Sequence, residues 1–251
     1  MHESETRIEA YRAARARVLE RMAAASHRAG RDPESVALVA VSKTIDAEAL
    51  RDAVAAGLDL LGENRVQEAL AKVPEVPGAR WQLVGPLQSN KARRALEVFD
   101  SIATVDSVDL GRRLDRLVPE VRSETRYPVL VQVNVAQDPA KAGFAPDDLE
   151  AALPGLLELP HLAVRGLMTV GRLTTDAGET RRTFSGLREL AERCQARWPE
   201  LGPDLSMGMT DDFEIAIEEG ATIVRVGRAL FGERPHHPHD HDSADPAHGG
   251  Q

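Results

Sequence analysis

Apolar residues along this chain follow two alternating patterns. Short runs rich in Val, Leu, Ile and Ala occur at VALVAV (36–41), LDLLG (58–62), RWQLVG (80–85), SIATVD (101–106), PVLVQVNV (128–135), AVRGLM (163–168), DLSMG (204–208) and TIVRVG (222–227). Runs of this length and composition read as buried strands. Stretches with apolar positions at helical spacing lie between them, near 46–56, 64–72, 88–98, 107–118, 146–158, 177–197 and 211–219, with a short one near 228–232. Strand and helix therefore alternate along the chain, which implies parallel pairing through right-handed crossovers. Eight β/α units within roughly 200–250 residues are what a closed (β/α)8 TIM barrel requires. An open doubly wound sheet would bring a GxGxxG turn after the first strand, where this chain reads VSKTID (41–46). The predicted fold is an α/β TIM barrel.

An extra helix precedes the barrel. Thr6 and Glu9 have the spacing of a capping box, and Ile8, Tyr11, Val18 and Met22 follow at helical positions, so the pattern predicts a helix over 5–29 that stops at Gly30. Helix and barrel together account for residues 1–234. The remaining segment, PHHPHDHDSADPAHGGQ (235–251), holds five of the eight histidines among Pro, Asp and Gly. It lacks the apolar residues for a core and is expected to be disordered. Histidine-rich tracts can bind divalent metals, but no metal site is assigned to it.

Composition narrows the function. With 251 residues, 42% of them hydrophobic, the chain can bury a large core. A net charge of −9 argues against a general nucleic-acid binder. No run of 18 apolar residues suggests a membrane span, and the N-terminus has no signal-peptide pattern. Cys194 is the single cysteine, which excludes an internal disulfide and a thiolate metal cluster. A soluble, cytoplasmic protein is expected. The 31 basic residues comprise 27 Arg and four Lys: Lys43, Lys72, Lys91 and Lys141. Where Arg serves nearly every surface charge, a Lys in an apolar setting points to amine chemistry.

In a TIM barrel the active site lies at the C-terminal ends of the strands. Those ends carry Lys43; Glu63 and Asn64; Pro86 with Gln88, Ser89 and Asn90; Asp106; Asn134; Met168; Ser206; and Arg225 with Gly227. Lys43 directly follows LVAVS, where desolvation disfavours the ammonium and leaves a nucleophilic amine able to form a Schiff base. The loops after the seventh and eighth strands commonly bind phosphate. Here Ser206 to Thr210 leads into a helix opened by Asp211 and Asp212, and Gly227 precedes a short helix starting at Arg228. An amine facing a phosphate cradle suits a phosphorylated carbonyl compound. Pyridoxal 5′-phosphate fits, and so does the substrate of a sugar-phosphate aldolase. Arg225 shares a strand face with Gly227; it would keep a pyridine nitrogen unprotonated, or else form a buried salt bridge, with Glu63 as the candidate partner. Glu63 and Asn64 would either orient a cofactor or cap the next helix. The segment Asn90 to Arg94 reads as a solvated helix start or an anion-attracting patch, and Lys141 reads as a surface lysine or as a residue on a loop over the pocket. Cys194 has no sequence-visible His partner and reads as structural; His27 and His161 stand alone.

The stretches AVSKT (40–44), GENRVQE (62–68), WQLVGPLQSNK (81–91), RGLMTVG (165–171), LSMGMTDDFEIAI (205–217) and GATIVRVGRALFG (220–232) resemble, in order, those of the pyridoxal phosphate homeostasis proteins. The resemblance covers residues 5–233. It implies a fold-type III pyridoxal-phosphate barrel similar to the N-terminal domain of bacterial alanine racemase. By that likeness Lys43 carries the cofactor as a Schiff base, and Ser206, Gly227 and the backbone of Arg228 bind its phosphate. Arg225 faces the pyridine nitrogen and Asn64 lies beside the cofactor. Family members are regarded as cofactor carriers or regulators of vitamin B6 and amino-acid pools, without an established catalytic reaction. The implied partners are pyridoxal phosphate and pyridoxal-phosphate-dependent apoenzymes, and the implied assembly is a monomer or weak homodimer. The alternative is a pyridoxal-phosphate-dependent amino-acid racemase, which needs a second acid/base; the racemase fold takes a Tyr for this from another domain, and this chain has only Tyr11 and Tyr127. Several positions depart from the family pattern. Ile45 stands where many members have a second Lys, Thr210 and Ala221 replace Ser, and Arg228 replaces Thr or Ser, which removes a side-chain hydroxyl from the phosphate site.

Overall fold

The computed structural model describes residues 2–123, 126–172 and 174–232. Eight parallel strands close into a barrel in sequence order: β1 (Ala37–Val41), β2 (Leu60–Glu63), β3 (Arg80–Leu83), β4 (Ser101–Val105), β5 (Tyr127–Gln132), β6 (Leu162–Met168), β7 (Asp204–Ser206) and β8 (Ile223–Val226). The crossover helices are α2 (Ala47–Ala55), α3 (Val66–Lys72), α4 (Ala92–Val98), α5 (Val108–Val121), α6 (Pro146–Leu157), α7 (Ala177–Arg197) and α8 (Phe213–Glu218), with α9 (Arg228–Phe231) after β8. Every strand expected from the apolar runs is present. Several helices start where a side chain caps them: Asp46 accepts from the Ala49 amide at 2.8 Å, Ser107 from Leu110 at 3.2 Å and Asp176 from Gly178 at 2.7 Å. The 88–98 stretch divides into a 3₁₀ turn, Ser89–Lys91, and α4. β5 stops at Gln132 because Asn134 turns the chain: its side chain accepts from the Asp138 amide at 3.0 Å and donates to the Asp138 carbonyl at 2.8 Å.

The register separates the two faces of the wall. Ala40, Leu61, Leu83, Ile102, Val131, Leu167 and Val224 belong to the large core shared with the helices. The alternate positions form the barrel interior. Val39 stands beside Arg225, Val41 beside Gly62, Gly62 beside Gln82, and Met168 between Gln132 and Ser206. Ala103, Leu130 and Met168 make a separate small apolar cluster there. Both faces of each strand are buried, which explains why the runs show little polar alternation.

The preceding helix, α1 (His2–Arg28), begins earlier than the capping-box pattern suggested. Thr6 is inside it, donating its hydroxyl back to the His2 carbonyl at 2.8 Å rather than capping. Ala14, Val18, Met22 and Ala25 form its buried stripe, and Arg21–Glu214 and Arg28–Glu218 pairs tie it to α8. The histidine-rich segment 235–251 lies outside the described residues. Among the described residues no helix is long and apolar enough to cross a membrane, and no cluster of His, Cys, Asp and Glu could hold a metal ion.

One glycine matters for closing the wall. Val129 pairs with Val164 but Leu130 with Gly166, so Arg165 is an extra residue in β6. Gly166 has φ +149°, and a Cβ there would lie 2.0 Å from the Asp204 carbonyl oxygen on β7. Gly166→Ala is therefore expected to cost about 3 kcal/mol, by overpacking together with backbone strain, and to lower the urea midpoint accordingly. An unchanged midpoint would show that β7 yields without cost.

Candidate functional site

Polar side chains gather where the strands end. After β1, Ser42 begins a tight turn: its carbonyl accepts from the Ile45 amide at 3.1 Å, with Lys43 and Thr44 between them. Lys43 is half-buried. Thr44 has φ +69°, a left-handed conformation that strains a β-branched residue by about 1–3 kcal/mol. Gly227 lies next to this end of β1, since a Cβ on it would stand 3.2 Å from the Val41 carbonyl oxygen. It caps α9, its carbonyl accepting from Leu230 at 2.9 Å and Phe231 at 3.0 Å. The first amides of a helix have no acceptor within it, so the start of α9 offers N–H groups beside the Lys43 turn. The Arg228 side chain is engaged by the Asp211 carboxylate.

Arg225 sits within the barrel wall, 4% exposed. It donates from Nη1 to Ser206 Oγ at 2.8 Å and from Nη2 to the Thr169 carbonyl at 2.9 Å. Burial lowers its guanidinium to about 10, against the pull of the Asp212 carboxylate, so it remains charged at neutral pH. The alternative role for Arg225, a salt bridge with Glu63, is absent. Glu63 has outward parity, beside Leu83, and takes Lys72 as its partner at 2.7 Å. Among the described residues no carboxylate forms an ion pair with Arg225. Ser206 is fully buried and accepts from Arg225.

The loop after β7 is held from below. Asp212 Oδ1 accepts from the Met209 amide at 2.6 Å, and the Gly208 carbonyl accepts from the Arg225 amide at 3.0 Å. Gly208 has φ +93°, and a Cβ there would lie 2.5 Å from that of Ala216. Burial raises the Asp212 carboxyl above the ordinary range, opposed by the Met209 amide and the charge of Arg225.

Asn64, one residue past β2, is half-buried, and its backbone packs so closely on Gly85 that a Cβ there would lie 2.2 Å from its carbonyl oxygen. Asp106 follows β4, its carboxyl raised by burial. Asn90, Lys91 and Arg94 line a shallow cleft with Val66, Gln67 and Leu70, while Arg93 pairs with Glu120. Cys194 is buried in α7.

Two features depart from the favoured sequence reading. Lys141 is not a plain surface lysine: its ammonium donates to the Val170 carbonyl at 3.2 Å and to that of Gly171, strapping the β5–α6 loop to the end of β6. Burial lowers it from the ordinary lysine value. Glu63 neither points into the barrel nor caps α3; it joins Ser42 and Lys72 behind the wall. The scarcity of Lys was the signal available for both.

Residues 15–235 match the family model described as alanine racemase, N-terminal domain. The pyridoxal phosphate homeostasis protein of Pseudomonas aeruginosa is 44% identical over 222 residues, covering 87% of this chain and 94% of that protein. The chain belongs to the pyridoxal phosphate homeostasis protein family. The homeostasis protein of Escherichia coli K12 is 38% identical over 227 residues, with 87% and 94% of the two chains covered. Among solved structures, PipY of Synechococcus elongatus with pyridoxal phosphate bound is 45% identical, with a TM-score of 0.74 over 86% of this chain and all of that one. Alanine racemase of Clostridium difficile 630 is 13% identical with a TM-score of 0.67, a likeness of fold alone, over 87% of this chain and 60% of that one. Homeostasis proteins and racemase thus share the barrel.

Proposed function

We propose that this protein binds pyridoxal 5′-phosphate at the barrel mouth, holds it through Lys43 and releases it, serving vitamin B6 homeostasis in the cytoplasm without turning over a substrate. The observation that carries this reading is the Arg225 guanidinium, buried inside the wall with a hydroxyl and a carbonyl as its hydrogen-bond partners and no paired carboxylate among the described residues. Such a site favours an anionic ligand. The donor set fits the cofactor. Lys43 supplies an amine, the start of α9 supplies N–H groups, and Ser206 has a hydroxyl proton to donate to a phosphate. When bound, the cofactor would supply an aldehyde that condenses with an amine with loss of water, a linkage that borohydride makes permanent.

In this reading Arg225 faces the ring nitrogen and, being itself a cation, keeps that nitrogen unprotonated, which weakens the ring as an electron sink. Asn64 lies beside the ring, and Arg228 contributes its backbone. The positions of the tyrosines also support carriage over racemisation. Tyr11 lies in α1 with its ring edge-on to Phe231 at 5.5 Å, and Tyr127 begins β5, buried, with its hydroxyl donating to the Phe99 carbonyl at 2.8 Å. Tyr127 is at the N-terminal end of its strand, opposite the barrel mouth, and Tyr11 belongs to the helix packed outside the barrel. Pyridoxal-phosphate-dependent apoenzymes are the recipients this role calls for.

The test is the visible absorption spectrum of the purified protein before and after borohydride, with peptide mapping of the reduced product and an amino-acid racemase assay. A visible band, lost on reduction and mapped to Lys43, together with no racemase turnover, is the expected result. A colourless protein that takes up no added pyridoxal phosphate would return the Schiff-base aldolase, and sustained racemisation would return the racemase.

A further inference from the structure

Lys72 is one of only four lysines, and its ammonium is drawn in from the surface against the ends of β1 and β2. It lies behind the barrel wall, its side chain 12% exposed, with Nζ 2.7 Å from Glu63 Oε1 and 3.2 Å from the Ser42 carbonyl oxygen. Glu68 adds a looser contact at 3.8 Å. Glu63 is fully buried; its Oε1 also accepts from Ser42 Oγ at 2.8 Å, while its Oε2 is shut away from solvent without a hydrogen-bond partner. Burial raises its carboxyl above the ordinary range, against the opposing effects of Lys72 and Ser42. As a means of stabilising a wall, a buried ion pair is often no better than apolar residues of the same volume. Its retention here calls for another reason, and Ser42 supplies one.

Ser42 immediately precedes Lys43, and each of its polar groups is engaged. Its amide donates to the Gly62 carbonyl at 2.9 Å, its hydroxyl to Glu63, and its carbonyl accepts from both Lys72 and the Ile45 amide. The turn that follows holds Thr44 in a left-handed conformation, which persists only where the surroundings over-determine it. We propose that Glu63 and Lys72 are positioning residues that, by pinning Ser42 from outside the barrel, hold the strained turn on which the Lys43 amine is presented. The inference rests on Lys43 being the attachment residue.

Two readouts separate positioning from mere support of the fold: the rate at which borohydride-trappable pyridoxal phosphate accumulates, and the affinity for pyridoxine 5′-phosphate. The latter has the ring and phosphate but no aldehyde, so it reports the pocket without the attachment. Lys72→Met is expected to slow attachment at least tenfold and leave pyridoxine 5′-phosphate affinity within twofold. Because Lys72→Met alone leaves a buried carboxylate uncompensated, the doubly neutral Glu63→Gln/Lys72→Met variant is the second arm. It is expected to regain the thermal midpoint while attachment stays slow, since Ser42 still lacks its ammonium donor. Attachment within twofold of the unsubstituted protein in that double variant would overturn the proposal, as would an equal loss of attachment and of pyridoxine 5′-phosphate affinity. Failure of the underlying reading is distinguishable, because it would appear in the unsubstituted protein as no trapping at Lys43.

Discussion

Lys43→Ala is expected to abolish borohydride-trappable attachment of pyridoxal phosphate and to leave the thermal midpoint within a few degrees of the parent protein. Lys43 sits on a turn outside β1 and is only half-buried, so removing its side chain opens no cavity in either apolar cluster. Lys43→Arg sharpens the test, because a guanidinium keeps the positive charge and cannot condense with an aldehyde. If charge alone held the cofactor, the Arg variant would retain it; if amine chemistry does, both variants lose the covalent mass increment measured after reduction. Full-stoichiometry attachment in Lys43→Ala would move the assignment to Lys72, Lys91 or Lys141, and peptide mapping would say which.

Arg225→Glu is expected to displace the absorption band of the cofactor-loaded protein and to lower stability by about 3–5 kcal/mol, the loss typical when a buried charge is left uncompensated. The guanidinium satisfies the Thr169 carbonyl and Ser206 hydroxyl, and a carboxylate in its place would face the carbonyl as one acceptor faces another. Asp212, whose charge favours the guanidinium, would repel the new carboxylate. A carboxylate at this point also accepts a proton-bearing ring nitrogen where a guanidinium opposes one, which is the physical source of the spectral change. Arg225→Met separates the two effects, since it removes the cation without adding an anion. A band of unchanged position in loaded Arg225→Glu would remove Arg225 from the ring nitrogen and leave it as a support for Ser206 and the end of β6.

Local signals carried the secondary structure. Val- and Leu-rich runs and helical spacing are properties of a few neighbouring residues, so they survive in a bare sequence. Their alternation was enough for the barrel, because parallel strands joined by helices admit few closed arrangements. Lys43 stood out as a candidate for a chemical reason, as a rare amine after an apolar strand. What the sequence could not determine is which charges meet. Strands buried on both faces carry no alternation to mark inside from outside, so Glu63 was open to pairing with Arg225 until the register set the two on opposite sides of the wall. Closure then decided the rest. It brought Lys72 behind Ser42, Lys141 onto the carbonyls of Val170 and Gly171, and Arg225 onto Ser206 and Thr169, contacts between residues far apart in sequence whose partners only the folded chain selects.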